Sequence, residues 1–384
     1  MKILIYSNPN LLDYDLPLVR ALQNKGLDVT YLVEMDYKGT NSTLLSIKDG
    51  HAINGIEPAS AYPEFAIFSS YLDLNKVYVR NYYKKHKIPF VDKLILSLKC
   101  FRFLKKNKFD IIQRTQVFFS TDIIMYYFRK SIIKIVHDPF PHSGDLMKGW
   151  TKFYYNLGMK IIPRFVVLNR TQYHQFCDVY NKKEENVLLS SLGIYDCYNL
   201  FNSDGLKPRK NNILFFGRIS KYKGVEYLCE AMELVRHKIP DVTLTIVGGE
   251  KYYFDIDKYK KIDGFEFINR YVSAQELSGF LNECTIVVCP YTDSTQSGVV
   301  MTAFSHGKPI IASEVGGLAE QIENGESGIL VPPRNSEKLS EAIIELLQNH
   351  QLYRHIKEYI NYEYNTGRRS WDFISNQYID FYKK

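Results

Sequence analysis

A chain of 384 residues, 45% hydrophobic and 24% charged, is too long for one small core and has the composition of a globular protein with two domains of ordinary size. Its net charge of +7 favours anionic partners, a class that includes nucleotide diphosphates, acidic lipid and nucleic acid. Six cysteines without a C-x-x-C pair, and no apolar run near the roughly 18 residues that span a bilayer, argue against a disulfide scaffold and a membrane-spanning protein. Reduced, buried thiols in a cytosolic protein are expected, and the short apolar start Lys2–Tyr6 reads as a strand rather than a signal peptide.

Taken in order, Lys2–Tyr6 predicts a strand, Asp15–Lys25 an amphipathic helix and Leu27–Val33 a second strand, with Gly26 as the turn. This is a Rossmann-like opening without G-x-G-x-x-G, which argues against a dinucleotide in this half. Asp13-Tyr14-Asp15 and Asp255-Ile256-Asp257 have the spacing of a D-x-D metal clamp. Asp13 precedes a helix rather than ending a mid-domain strand, so N-capping is its expected role. Arg80–Lys108 holds ten Lys/Arg and one acidic residue among Tyr, Phe, Ile and Leu. Within it, Val91–Asn107 predicts a helix whose apolar positions 91, 94, 95, 98 and 101 face a sheet, with a solvated basic face. Tyr82–Lys87 is the candidate contact with an anionic membrane surface. Phe109–Gln113, Ile132–Val136, Arg164–Leu168 and Asn186–Ser190 complete a first sheet of about six parallel strands. His137-Asp138 follow one of these strands at its carboxyl end, where open α/β sheets bind ligands.

Asn199–Asn211, polar and containing Gly and Pro, predicts a linker between domains 1–198 and 212–365. A second sheet begins at Ile213–Phe216 and ends in the loop Gly217–Gly224, followed by an amphipathic helix. Arg218 and Lys223 flank this strand-to-helix turn, and together they can neutralise a diphosphate, Arg by its planar fork and Lys as a point charge. Thr243–Val247 with Gly248-Gly249, then Phe265–Ile268, Tyr271-Val272 and the helix Ala274–Asn282, continue the pattern. Thr285–Cys289, the loop Thr292–Ser297, the helix Gly298–Ser305 and the strand Lys308–Ala312 form a βαβ unit, and Gly316-Gly317 turn into a helix starting at Leu318. The loop is almost entirely small and hydroxylated, and it feeds a helix N-terminus suited to a phosphate.

This second half resembles the family-4 glycosyltransferases of bacterial polysaccharide type. Gly217-Arg218 to Lys223-Gly224 fits that family's G-R-x4-K-G motif, and Thr243–Gly249 its I-x-G-x-G region. Thr302 to Pro309 fits the second half of its donor signature, a glutamate, seven residues, then E-A-M-A-x-G-x-P. The two glutamates fall on Ser294 and Thr302, so Thr302 would contact the donor ribose more weakly than a carboxylate, and Ser294 or Gln296 would stand for the first. The resemblance implies α/β architecture with two Rossmann-like domains facing across a cleft, the GT-B fold. It also implies a terminal helix within 366–384 that returns to the first domain. A donor site is implied at Gly217, Gly248, Tyr271, Val272, Ser294, Thr295, Gln296, Ser297, Gly298, Val299 and Thr302. His137 and Asp138 match its H-D pair on the donor sugar, and Tyr271 would stack on the base. Arg218, Lys223 and the amides of Ser297–Val299 would hold the diphosphate, so that His137, Arg218 and Lys223 are the expected catalytic groups.

The activity implied is transfer of a sugar from a nucleotide-diphosphate sugar to a glycan or lipid-linked glycan, with retention of configuration, no metal, no other cofactor and no nucleic-acid partner. A cytoplasmic protein, peripheral at the inner face of a membrane, is expected. Two alternatives fit the same plan: a nucleotide-sugar 2-epimerase, and a catalytically silent subunit that binds sugar nucleotide or a partner transferase.

Overall fold

Lys2–Ser7 (β1) is buried on both faces, as a strand of a parallel sheet covered by helices must be. The computed structural model describes residues 1–36, 40–47, 55–82, 90–137, 139–140, 149–202 and 208–384. The chain divides into Met1–Ser191 with Ile374–Lys384, and Leu192–Phe373. In the first unit β1 is joined by β2 (Asp28–Asp36), β3 (Ile56–Pro58), β4 (Val77–Tyr82), β5 (Ile111–Arg114), β6 (Ile132–Val136), β7 (Arg164–Val167) and β8 (Val187–Leu189). Their order is β8-β7-β6-β5-β1-β2-β4-β3, and every pair is parallel except the edge pair β3–β4. The helices are α1 (Leu12–Asn24), α2 (Phe90–Asn107), α3 (Gly149–Ile161) and α4 (Tyr173–Val179).

The second unit has β9 (Asn212–Phe216), β10 (Thr243–Val247), β11 (Phe265–Ile268), β12 (Ile286–Cys289), β13 (Ile310–Ser313) and β14 (Gly328–Val331), in the all-parallel order β11-β10-β9-β12-β13-β14. Around it lie α5 (Val225–Lys238), α6 (Asp257–Lys260), α7 (Ala274–Glu283), α8 (Gly298–Ser305), α9 (Gly316–Glu320), α10 (Ser336–Gln348) and α11 (His350–Asn365). The last helix, α12 (Trp371–Lys383), passes into the first unit at Ile374. This is the doubly wound order, and its switch point lies between β9 and β12.

Four expectations need correction. The first sheet has two strands beyond the six expected, β3 and β4, because Arg80 in β4 belongs to the interior and not to a basic surface run. Arg80 is 2% exposed and pairs with Glu34 of β2 at 3.0 Å and Asp122 at 2.7 Å, while Arg114 of β5 pairs with Glu34 at 3.2 Å. The rest of the proposed membrane patch, residues 83–87, lies outside the described residues. On α2 the buried positions are Leu96, Ser97, Cys100 and Leu104, whereas Val91, Ile95 and Leu98 are exposed. The helix turns the opposite apolar stripe to the sheet. Asp13 is not an N-cap: it lies inside α1, and its carboxylate accepts the Tyr14 amide at 3.0 Å. The division at Ser191 precedes the polar stretch 199–211, because the apolar segment from Leu192 packs with the second unit, where the Tyr195 amide donates to the Met301 carbonyl.

α12 is tied down at both ends. Trp371 Nε1 donates to the Ile194 carbonyl at 2.6 Å, the Tyr378 hydroxyl meets that of Tyr14 at 2.5 Å, and Tyr382 donates to the Gln113 side chain. All six cysteines are free and buried.

Burial opposes ionisation of Asp122, but the Arg80 charge and its hydrogen bonds outweigh burial and hold the carboxyl below the ordinary range. A depressed folded pKa stabilises above the unfolded value near 4, and that stabilisation is lost as pH falls through the folded value. Arg80→Met should therefore cost about 3–5 kcal/mol at neutral pH by leaving two buried carboxylates without their shared cation, read as a lower urea midpoint. An unchanged midpoint would mean that the network is dispensable.

Candidate functional site

The site grows from the loops that follow β9, β10 and β12. After β9 the chain turns at Gly217, whose amide donates to Val247 of β10, and the Ile219 amide donates to Gly249. Gly248 lies so close to this loop that a Cβ there would strike the Gly217 carbonyl. Gly224 ends the turn Lys221–Lys223 at φ +61° and starts α5, and a Cβ on it would strike the Pro290 carbonyl after β12. The Thr292 amide completes this seam by donating to the Tyr222 carbonyl at 2.7 Å. Glycine at 248 and 224 is thus what lets loops from both sides of the switch point lie against one another.

Lys223 sits in this seam, 9% exposed. Its ammonium donates to the Tyr291 hydroxyl at 2.5 Å, lies 4.0 Å from the Tyr291 ring centre, and comes close beside Gly217. Burial pulls its pKa down to about 8, with Cys289 acting against that fall and Arg218 adding to it. Arg218 itself is exposed, so the two cations stand at different depths around one turn. A buried ammonium has three protons to donate and here meets one hydroxyl and the faces of two rings, Tyr291 and, at 5.7 Å, Tyr222, with no carboxylate among these contacts. The Tyr291 hydroxyl also lies 3.4 Å from Ser297 Oγ, linking Lys223 to the start of α8.

The hydroxylated loop is strongly self-bonded. Ser294 Oγ donates to the Gln296 carbonyl, and the Ser294 carbonyl accepts the Gly317 amide at 3.1 Å. The Gln321 side chain clamps Ser297 from both sides, accepting its amide at 2.7 Å and donating to its carbonyl at 3.1 Å. The Ser297 amide is therefore not available to a phosphate as expected. Gly298 and Val299 follow it at the opening of α8, and first-turn amides have no partner inside a helix. Thr295 and Gln296 are half-buried, and Val299 lies near Gly217.

Thr302 does not present a group for a ribose. It is 3% exposed, and its hydroxyl donates to the Gly298 carbonyl at 2.9 Å. Gly298, one turn earlier, rests on the Tyr195 ring. Of the base-site pair, Tyr271 is 52% exposed beside Gly249 and Val272 is buried. The sequence reading missed Tyr291 and Gln321. Tyr291 lies two residues past the end of the buried strand β12, which was its one available signal, and Gln321 had none.

In the first unit His137 follows β6 and is half-buried, its ring edge-on to Tyr14 at 5.0 Å between centres. Tyr14 in turn meets Tyr378 of α12. Asp138 lies outside the described residues. Burial raises both Asp13 and Asp15 to about 7, which leaves neither a firm negative charge near neutral pH.

Residues 210–349, all in the second unit, match the model of a family described as "Glycosyl transferases group 1". Among curated relatives, an uncharacterized glycosyltransferase of Methanocaldococcus jannaschii is 28% identical over 200 residues, 50% of this chain and 54% of that protein. This match spans about half of that relative's length. An uncharacterized 41.2 kDa protein in the cps region of Klebsiella pneumoniae is 25% identical over 75% of this chain and 82% of its own. Among solved structures, sucrose-phosphate synthase of Thermosynechococcus elongatus superposes with a TM-score of 0.64 at 17% identity, covering 100% of this chain and 98% of that one. An Anabaena HepE protein in complex with UDP-glucose gives 0.59 at 16%, covering 99% and 98%. UDP-GlcNAc 2-epimerase of Neisseria meningitidis, bound to UDP-GlcNAc, gives 0.59 at 11%, covering 99% of each chain. At these identities the structural likeness establishes the fold, two parallel-sheet domains of GT-B type.

Thr302→Glu places an unpaired carboxylate where the threonine is buried. The variant should melt several degrees lower and gain no affinity for any nucleoside diphosphate, measured by calorimetry on the same sample. Tighter binding at an unchanged melting temperature would return residue 302 to the ligand.

Proposed function

We propose that the protein transfers a sugar from a nucleoside-diphosphate donor to a glycan or lipid-linked glycan acceptor, with retention of configuration and without metal. The observation that carries this reading is Lys223, a buried ammonium at the switch point of a doubly wound sheet, next to the exposed Arg218. The leaving diphosphate gains negative charge as the sugar departs, and a preorganised cation in a water-poor seam favours that charge more than water does. The family match over the same unit and the likeness to a fold that holds UDP-glucose support the assignment. His137 is proposed to act on the donor sugar in the transfer step, and Tyr271 to stack on the nucleobase. The acceptor is proposed to be a lipid-linked glycan handled at the cytoplasmic face of a membrane. Among the described residues no helix is long and apolar enough to cross one.

A second reading, 2-epimerisation of the nucleotide sugar, is favoured by the fold shared with an enzyme bound to UDP-GlcNAc. Incubating the protein with a nucleotide-sugar panel and no acceptor separates the two: an epimerised donor supports the second reading, and product formed only with acceptor supports the first. A subunit that binds nucleotide sugar and gives neither product is the third outcome.

Arg218→Ala and Lys223→Ala should each lower turnover about 100-fold, the scale for removing one charge-stabilising donor. Because protonated Lys223 binds the anion, affinity for a nucleoside diphosphate should fall as pH rises past about 8, and Lys223→Met should flatten that dependence. A wild-type profile level across this range would remove Lys223 from the diphosphate. His137→Ala should abolish transfer and leave nucleoside-diphosphate affinity within about twofold, since hydrogen bonds to the sugar alone act late in the reaction. Equal loss of both would place His137 in the nucleotide site or the core.

A further inference from the structure

α2 carries two apolar stripes where packing needs one. Leu96, Cys100 and Leu104 face the interior, and the stripe of Val91, Ile95 and Leu98 faces water together with Phe90. The exposed stripe does not end with the helix. Phe101 of α2 packs on the rings of Tyr127 and Phe128 in the 3-10 segment Ser120–Phe128, at 5.4 and 5.1 Å between centres. Tyr127 is 69% exposed. From the other end of that segment Phe119 meets Tyr154 of α3 at 5.9 Å, and α3 then shows Trp150, 75% exposed, edge-on to the exposed Phe153. Ring contacts at both ends of the 3-10 segment thus join it to α2 and to α3, and all three bear exposed Trp, Tyr, Phe or branched aliphatic side chains, a grouping of the kind that marks interaction surfaces.

The charges around this surface are mostly positive. Lys93, Lys99, Arg102, Lys105 and Lys106 on α2 stand against the single carboxylate Asp92, and α3 holds Lys152 and Lys160 with no acid. The one acidic side chain of the 3-10 segment, Asp122, is buried against Arg80. We propose that α2, the 3-10 segment and α3 form a docking face for an anionic lipid surface, the aromatics seated at headgroup level and the cations on acidic headgroups. A protein partner would need carboxylates on its side of the rim, whereas a bilayer supplies both the apolar layer and the negative charge. The inference deepens the reading of a membrane-linked acceptor and rests on it for its purpose. It adds α2, the 3-10 segment and α3 to the Tyr82–Lys87 stretch as candidate contacts.

The chain has two tryptophans, and Trp371 is buried, so Trp150 reports on this face alone. The protein should float with phosphatidylglycerol-containing vesicles and less with pure phosphatidylcholine. Trp150 emission should shift to the blue and be quenched by brominated acyl chains. Trp150→Ser with Phe153→Ser, and separately Ile95→Ser with Leu98→Ser, should each weaken partitioning about tenfold or more, since each removes two large apolar side chains from the lipid. Lys99→Glu with Arg102→Glu and Lys106→Glu should abolish the preference for anionic vesicles and the sensitivity to salt. All variants should keep wild-type melting temperature and nucleoside-diphosphate affinity, because the altered residues are exposed and lie outside the second unit. Wild-type protein that stays with the aqueous phase overturns the docking face while leaving the transferase reading to its own assays. So does a wild-type dimer in sedimentation that Ile95→Ser with Leu98→Ser makes monomeric, since that would assign the face to a second copy of the chain. Flotation without any donor binding would spare the docking face and sink the transferase reading.

Discussion

The close approach of Gly248 to the Gly217 carbonyl is the contact on which the second unit's site depends. Parallel strands end in loops that would normally be held apart by their own side chains. Removing a Cβ at 248, and again at 224, lets the loops after β9, β10 and β12 meet backbone to backbone, with amides such as Ile219 and Thr292 donating across the seams. Once the backbones touch, the side chains between them have few places to go. Lys223 must run inward, and Tyr291 is the one hydroxyl that receives it. An alanine at either glycine would open the seam by more than an ångström-scale adjustment, because the obstruction is a carbonyl and not the tip of a flexible side chain.

That confinement sets the chemistry of the lysine. An isolated ammonium in a dry interior would give up its proton, and Lys223 is held near the boundary, at a pKa of about 8. One hydroxyl and two ring faces moderate the cost without removing it. A group poised in this way gains more from an arriving anion than a solvated cation does, because it has fewer water contacts to give up. Arg218, on the same turn, lies out in solvent, where a new ion pair contributes less.

The parts of this arrangement that were legible in the sequence are those fixed by local chemistry. Alternating runs of strand and amphipathic helix marked both parallel sheets apart from β3 and β4, and the pair Gly217 and Gly224 around Arg218 and Lys223 marked a strand-to-helix turn. The failures have specific causes. Strand β4 was hidden because its interior is charged, and Arg80 reads as a surface cation until Glu34 and Asp122 are seen on neighbouring elements. The orientation of α2 was ambiguous because both of its stripes have helical period, and periodicity says that a face is apolar without saying what it faces. Thr302 went astray for a related reason: sharing a helical face with Gly298 told nothing about Tyr195, which approaches from a segment a hundred residues earlier and covers that face.

The two units share the doubly wound order but differ in what they bury near its switch point. The first buries Arg80 and Arg114 with Glu34 and Asp122, two positive and two negative charges in mutual contact, and stacks Arg114 on the Tyr6 ring at 3.9 Å. Its other buried ionisable groups are drawn toward neutrality by burial, Asp13 and Asp15 upward to about 7 and Lys134 downward to about 7. In such an interior, breaking any pair leaves an uncompensated partner. In the second unit, by contrast, the buried Lys223 is met by the Tyr291 hydroxyl and by the rings of Tyr291 and Tyr222 rather than by a carboxylate. A fold of two similar halves therefore holds one interior of paired, opposite charges and one ammonium met by a hydroxyl and two rings.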